Sequence, residues 1–207
     1  MRRGFLSLLF LFLCLVAART AAADPVTLTS GTLQICCFQI QAEFPSGNFN
    51  LVGPDFAASG TGGGSPAAFG SFDAGSSVAV TLSVQPAHLG STGSVTVGGR
   101  TLVGQTSATL AVTSDPLTLS GLLGTAAFSA TGQIRVSGTG DPDVPDFTQE
   151  VAGRGTLELA GVRQPNGVIL ANSVRLTFDA SPLSSTPEPG SLLLLATGMA
   201  AVWLAKR

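Results

Sequence analysis

No tyrosine occurs in the 207 residues, and there is one tryptophan (Trp203), one histidine (His88) and one lysine (Lys206). These scarcities exclude several classes of chemistry. A Ser-His-Asp triad would have to take His88 as its base, and that residue lies near Pro86 in a loop between strand-like runs. No Gly-x-Ser-x-Gly elbow falls at a strand-to-helix turn. Catalytic zinc needs two or three His or Cys ligands at usable spacing, which this chain lacks. Sugar cleavage would need facing carboxylates and usually aromatic platforms, and aromatics make up only 6% of the chain. The expectation is a protein that is not an enzyme.

Charge is also sparse, at 11% of residues. Between Asp24 and Thr186 the cations are five arginines, Arg100, Arg135, Arg154, Arg163 and Arg175, outnumbered by Asp and Glu. A mildly acidic segment argues against nucleic acid or an anionic membrane surface as partner, because both attract positive charge.

What is present begins with an export signal. Arg2 and Arg3 form a positive start, Phe5 to Ala18 an apolar stretch, and Ala21-Ala22-Ala23 a small-residue cleavage pattern. These are the three parts of a secretory signal peptide, with Ala21 and Ala23 as the cleavage determinants and the cut before Asp24. Cys14 lies inside the apolar stretch after Leu13, where a lipobox needs Gly or Ala, so lipidation is discounted. The secretion translocon is the first implied partner. The expected layout is a signal peptide over 1–23, a secreted domain over 24–182 and a terminal signal over 183–207.

The secreted segment alternates with period 2. Val78 to Val84, Ser94 to Val97, Ile134 to Ser137, Thr156 to Leu159 and Val174 to Asp179 each place apolar residues at every second position. This is the pattern of strands with one buried and one wet face. Arg135 and Arg175 fall on the wet face. Gly98-Gly99 and Pro165-Asn166-Gly167 read as hairpin turns. Gly60 to Pro66 reads as a flexible linker and Gly138 to Asp146 as a longer connection. No window is convincingly amphipathic as a helix. About ten antiparallel strands result, hence an all-β domain, either a β-sandwich or a partly closed barrel.

Two clusters carry candidate chemistry. Asp141, Asp143 and Asp146 crowd one loop and could ligate Ca²⁺, a hard cation that takes several oxygens, although the spacing is not that of an EF-hand. No other cofactor is implied. Cys36 and Cys37 are adjacent in a strand-like run, Leu33 to Ile40. Neighbours in a strand point to opposite faces, which makes an ordinary disulfide poor. A vicinal disulfide, bridges to another chain, or one buried and one exposed thiol all remain open.

The last residues are the most specific. Thr186 is followed by Pro187-Glu188-Pro189-Gly190, an apolar run from Ser191 to Ala205, and Lys206-Arg207. As a helix the run would span about 22 Å, short of a ~30 Å hydrocarbon core. Lys206 and Arg207 fit a positive-inside stop and can snorkel to gain length. Pro-Glu-Pro can neither continue a helix nor join a sheet, so it stays accessible to a protease.

This arrangement resembles the PEP-CTERM sorting signal. The resemblance implies export in a Gram-negative bacterium that makes exopolysaccharide. It also implies transient anchoring of the hydrophobic helix in the inner membrane and recognition by an exosortase, a membrane cysteine protease. Pro187, Glu188 and Pro189 would be the recognition site, and Lys206 and Arg207 the membrane stop. Such proteins share the tail and not the cargo. The expected role is structural or adhesive, at the cell surface or in the extracellular matrix with exopolysaccharide. The alternative is a carbohydrate- or Ca-binding module on the same scaffold.

Overall fold

The computed structural model describes residues 24–38, 45–66, 69–86, 92–138 and 146–179. Among these there is no helix, and eleven strands form one continuous sheet. They are β1 (Val26–Thr27), β2 (Ser30–Cys36), β3 (Ser46–Gly53), β4 (Phe56–Ser65), β5 (Ala79–Gln85), β6 (Gly93–Val97), β7 (Arg100–Ser114), β8 (Thr118–Ser120), β9 (Leu123–Ser137), β10 (Phe147–Arg163) and β11 (Ile169–Phe178).

The sheet closes on itself. Its order runs β10-β11-β2-β3-β4-β5-β7-β9, and β9 pairs back onto β10 from Leu123↔Ala160 to Val136↔Phe147. The eight-position wall is a closed barrel, which decides between the two expected all-β architectures in favour of the barrel. One wall position is shared. β6 pairs with Phe56–Ser59 of β4 and β5 with Gly63–Ser65, and β7 pairs with both in turn. β1 and β8 are short additions, β1 parallel to β10 and β8 antiparallel to β9.

Period-2 alternation sorts the side chains. Leu33, Ile35, Phe49, Leu51, Leu82, Val84, Leu110, Ile134, Leu157, Leu159 and Leu176 are buried within one cluster. Intervening positions such as Thr81, Ala111, Thr131, Arg135 and Arg175 are exposed. An eight-stranded barrel leaves an interior that side chains can fill, and here hydrocarbon fills it.

Glycine corrects one expectation. Gly60 to Ser65 is not a linker but part of β4. Gly60 stands directly opposite Phe49, and a Cβ there would lie 2.7 Å from the ring's Cε1 and Cζ. At Gly62 a Cβ would lie 2.6 Å from the Gln85 carbonyl carbon, and at Gly64 it would run into Ile35. These residues line the junction where β5 and β6 meet end to end, so bulk from neighbouring strands replaces their missing side chains. A glycine in a strand often marks such a close approach. The β6–β7 hairpin is as expected: Val97 pairs with Arg100, and Gly98 and Gly99 take φ of +56° and +79°, the double positive φ of a type I′ turn. Gln164 and Gly167 close the β10–β11 turn, the Gln164 N–H donating to Val168 O at 2.8 Å.

The strand ends divide the barrel into two poles. The ends of β2, β4, β7 and β10 and the starts of β3, β5, β9 and β11 lie at one. The start of β1, the ends of β3, β6, β9 and β11 and the starts of β4, β7 and β10 lie at the other. Phe72, in the β4–β5 connection, plugs the first pole. It is buried, its N–H donates to Ile169 O at 3.1 Å, and a Cβ added at Gly124 or Gly161 would meet its ring at 3.0 and 2.9 Å.

Candidate functional site

Cys36 and Cys37 sit at the plugged pole, and the structure joins them in a disulfide. The strand-like run from Leu33 to Ile40 was expected to set their side chains on opposite faces. β2 instead stops at Cys36, and Cys37 turns into the left-handed region with φ of +74°. That turn removes the opposition and lets adjacent sulfurs meet. Both residues are half-buried.

The turn is held by β11. The N–H groups of Cys37 and Phe38 both donate to the carbonyl of Asn172, at 2.8 and 3.0 Å. Asn172 is the extra residue of a β-bulge, since Ala160 pairs with Ser173 and Gly161 with Ala171. A bulge re-aims backbone groups, and here it presents one carbonyl to two donors. The Asn172 Oδ1 is buried and has no hydrogen-bond partner among the described residues. Phe38 packs on Phe69 with ring centroids 6.0 Å apart. Sequence reasoning did not single out Asn172, Phe38 or Phe69. The only local signal was Asn172 interrupting the alternation between Ala171 and Val174.

The acidic loop is described only at its end. Asp141 and Asp143 lie outside the described residues, as does His88. Asp146 forms an ion pair with Arg135, both side chains being about half exposed. Its carboxylate is thus engaged with a guanidinium on the β9 wet face. Among the described residues no group of three metal-ligating side chains comes together.

On the outer face of β5, β7 and β9 lies an open groove of about 450 Å³. Ala79, Thr81, Ala111, Thr113, Ser129 and Thr131 line it. Thr113 and Ser129 share a hydrogen bond of 3.0 Å across it. The lining offers hydroxyls and methyls with no charge. It can exchange hydrogen bonds with a neutral polar ligand, and it supplies no acid, base or nucleophile partnered for catalysis.

The sorting residues Pro187, Glu188, Pro189, Lys206 and Arg207 lie outside the described residues, as do Ala21 and Ala23. The last described residue before the tail is Asp179, whose N–H donates to Arg154 O at 3.1 Å. The tail therefore leaves from the pole opposite the disulfide, beside the entry at Asp24.

No curated protein and no solved structure matches the chain. A family model does match its end: residues 185–207 fit the PEP-CTERM protein-sorting motif. That motif covers Pro187-Glu188-Pro189, the apolar run and Lys206-Arg207, and it marks the chain as an exported protein bearing a C-terminal sorting signal of the kind an exosortase processes.

Proposed function

We propose that this protein is a non-catalytic β-barrel cargo, held briefly in the inner membrane by its tail, cut by an exosortase near Pro187-Glu188-Pro189, and delivered to a surface or matrix rich in exopolysaccharide. The match of residues 185–207 to the sorting motif carries the processing half of this reading. The uncharged, hydroxyl-lined groove on β5, β7 and β9 supports the matrix half. A neutral polysaccharide meets hydroxyl partners there and no net charge, and many weak hydrogen bonds suit retention better than turnover.

Mass spectrometry of the mature protein from its native host tests the processing. A C-terminus near Pro187 is expected, and an intact Arg207 in cell-surface material refutes the cut. Fractionation tests the destination. The protein should co-purify with the host's exopolysaccharide and be released when that polymer is enzymatically degraded. Recovery wholly in the culture medium from a polymer-producing strain refutes matrix association.

A further inference from the structure

We propose that the Cys36–Cys37 disulfide is a redox-addressable lock on the pole opposite the tail, opened by an envelope dithiol and closed again by exchange with an envelope disulfide, which is reduced to its dithiol. A staple for global stability is a poor account of it. A disulfide stabilises mainly by restricting the unfolded chain, more for a longer closed loop, and neighbours in sequence close almost none. The bond acts on local conformation instead. Cys37 holds a φ of +74°, which a residue with a side chain adopts only when its surroundings impose it. That conformation puts the Cys37 and Phe38 N–H groups on the one Asn172 carbonyl and sets Phe38 against Phe69.

The chemistry is ordinary exchange. A reductant thiolate attacks one sulfur of the pair and releases the other as a thiolate, which takes up a proton. The second thiol of the reductant then displaces the mixed disulfide. Two cysteine thiols and one oxidised dithiol result, with two electrons passed to the protein. Half-burial leaves the pair open to such attack. Once reduced, Cys37 is free to return to extended backbone. Its N–H and that of Phe38 then leave Asn172, and Phe38 leaves Phe69.

Hydrogen exchange of the purified full-length chain in detergent, with and without dithiothreitol, tests this. Reduction should speed exchange at Cys37 and Phe38 by about tenfold, the scale of relaxing one left-handed residue. Peptides from β9 and β10 should not change, and reoxidation should restore protection. Two variants separate the parts. Cys37→Ala should exchange fast without reductant. Cys37→Gly accepts the positive φ without a bond, so it should stay protected and ignore reductant. Equal exchange in the oxidised and reduced protein overturns the proposal. So does protection of Cys37→Ala at the oxidised level, or loss of protection throughout β9 and β10 on reduction.

Discussion

The glycines of β4 give the sharpest test of the barrel. Gly60, Gly62 and Gly63 lie within four residues of sequence, and a linker would treat them alike. The closed wall does not. A Cβ at Gly62 would lie 2.6 Å from the Gln85 carbonyl carbon and 3.0 Å from Pro86 Cα, where carbon atoms prefer about 3.5–4.0 Å. Backbone cannot rotate aside as a side chain can, so β4 and the end of β5 must part by about 1 Å. The neighbouring Gly63↔Gln85 pairing would be strained with them. Overpacking costs roughly 1–3 kcal/mol, and a lost ladder hydrogen bond adds about 1 kcal/mol. Gly62→Ala should therefore destabilise by about 3 kcal/mol, lowering the melting temperature by roughly 6–12 °C. Gly60→Ala should cost roughly 1–3 kcal/mol, because the buried Phe49 ring must shift. Gly63→Ala meets nothing within 4 Å, and its φ is not left-handed. It should gain about 0.4–1 kcal/mol by restricting the unfolded chain. Differential scanning calorimetry of the three purified variants reads all of this. Melting temperatures that agree within about 2 °C would falsify the register of β4 against β5, since they correspond to under ~1 kcal/mol.

Other outcomes follow from the same structure. Leu157 is fully buried, so Leu157→Ala should cost roughly 2–5 kcal/mol in denaturant titration, whereas Thr156→Ala, exposed on the opposite face of β10, should stay within about 0.5 kcal/mol. A double-mutant cycle on Arg135 and Asp146 should give at most about 1 kcal/mol, falling further in high salt, because both partners are half exposed. In the native host, Glu188→Ala with Pro189→Ala should accumulate the uncut precursor on an immunoblot, while the same pair of changes at Asp115 and Pro116 should leave processing as it was.

The strands were legible because alternation is local. Val78 to Val84 and Val174 to Asp179 announced β5 and β11 from their own residues, and Gly98-Gly99 announced its hairpin. Closure was not legible, because it depends on β9 meeting β10 along most of their length, and period 2 says nothing about which strand is the neighbour. Gly60 to Gly64 failed for a related reason. A strand whose side chains are supplied by Phe49, Ile35 and the Gln85 backbone looks, in isolation, like a linker. Cys36 and Cys37 were visible as a pair, but their pairing turned on where β2 ends, and that is set by the Asn172 bulge on β11, some 136 residues away. The sorting tail was legible for the opposite reason: a protease and a membrane read it as a linear signal, so its meaning needs no fold.

The position of the tail then bears on what its removal does. Among the described residues, every buried hydrophobic side chain lies between Leu28 and Phe178. From Ser173 to Phe178, just before Asp179, β11 is paired on both sides, with β10 and with β2. Seven residues, 180–186, separate Asp179 from Pro187, eight steps and a reach of at most about 29 Å. The tail is thus tethered to the pole bearing the termini, and the disulfide pole lies at the far end of the barrel. Among the described residues, a cut at Pro-Glu-Pro then severs no strand and opens no core. A chain ending at Thr186 should melt within about 1 °C of the full-length chain in the same detergent, since under ~0.5 kcal/mol is at stake. A drop of several degrees would mean that the barrel leans on its tail, and the tail would then be part of the folded protein and no longer only its handle.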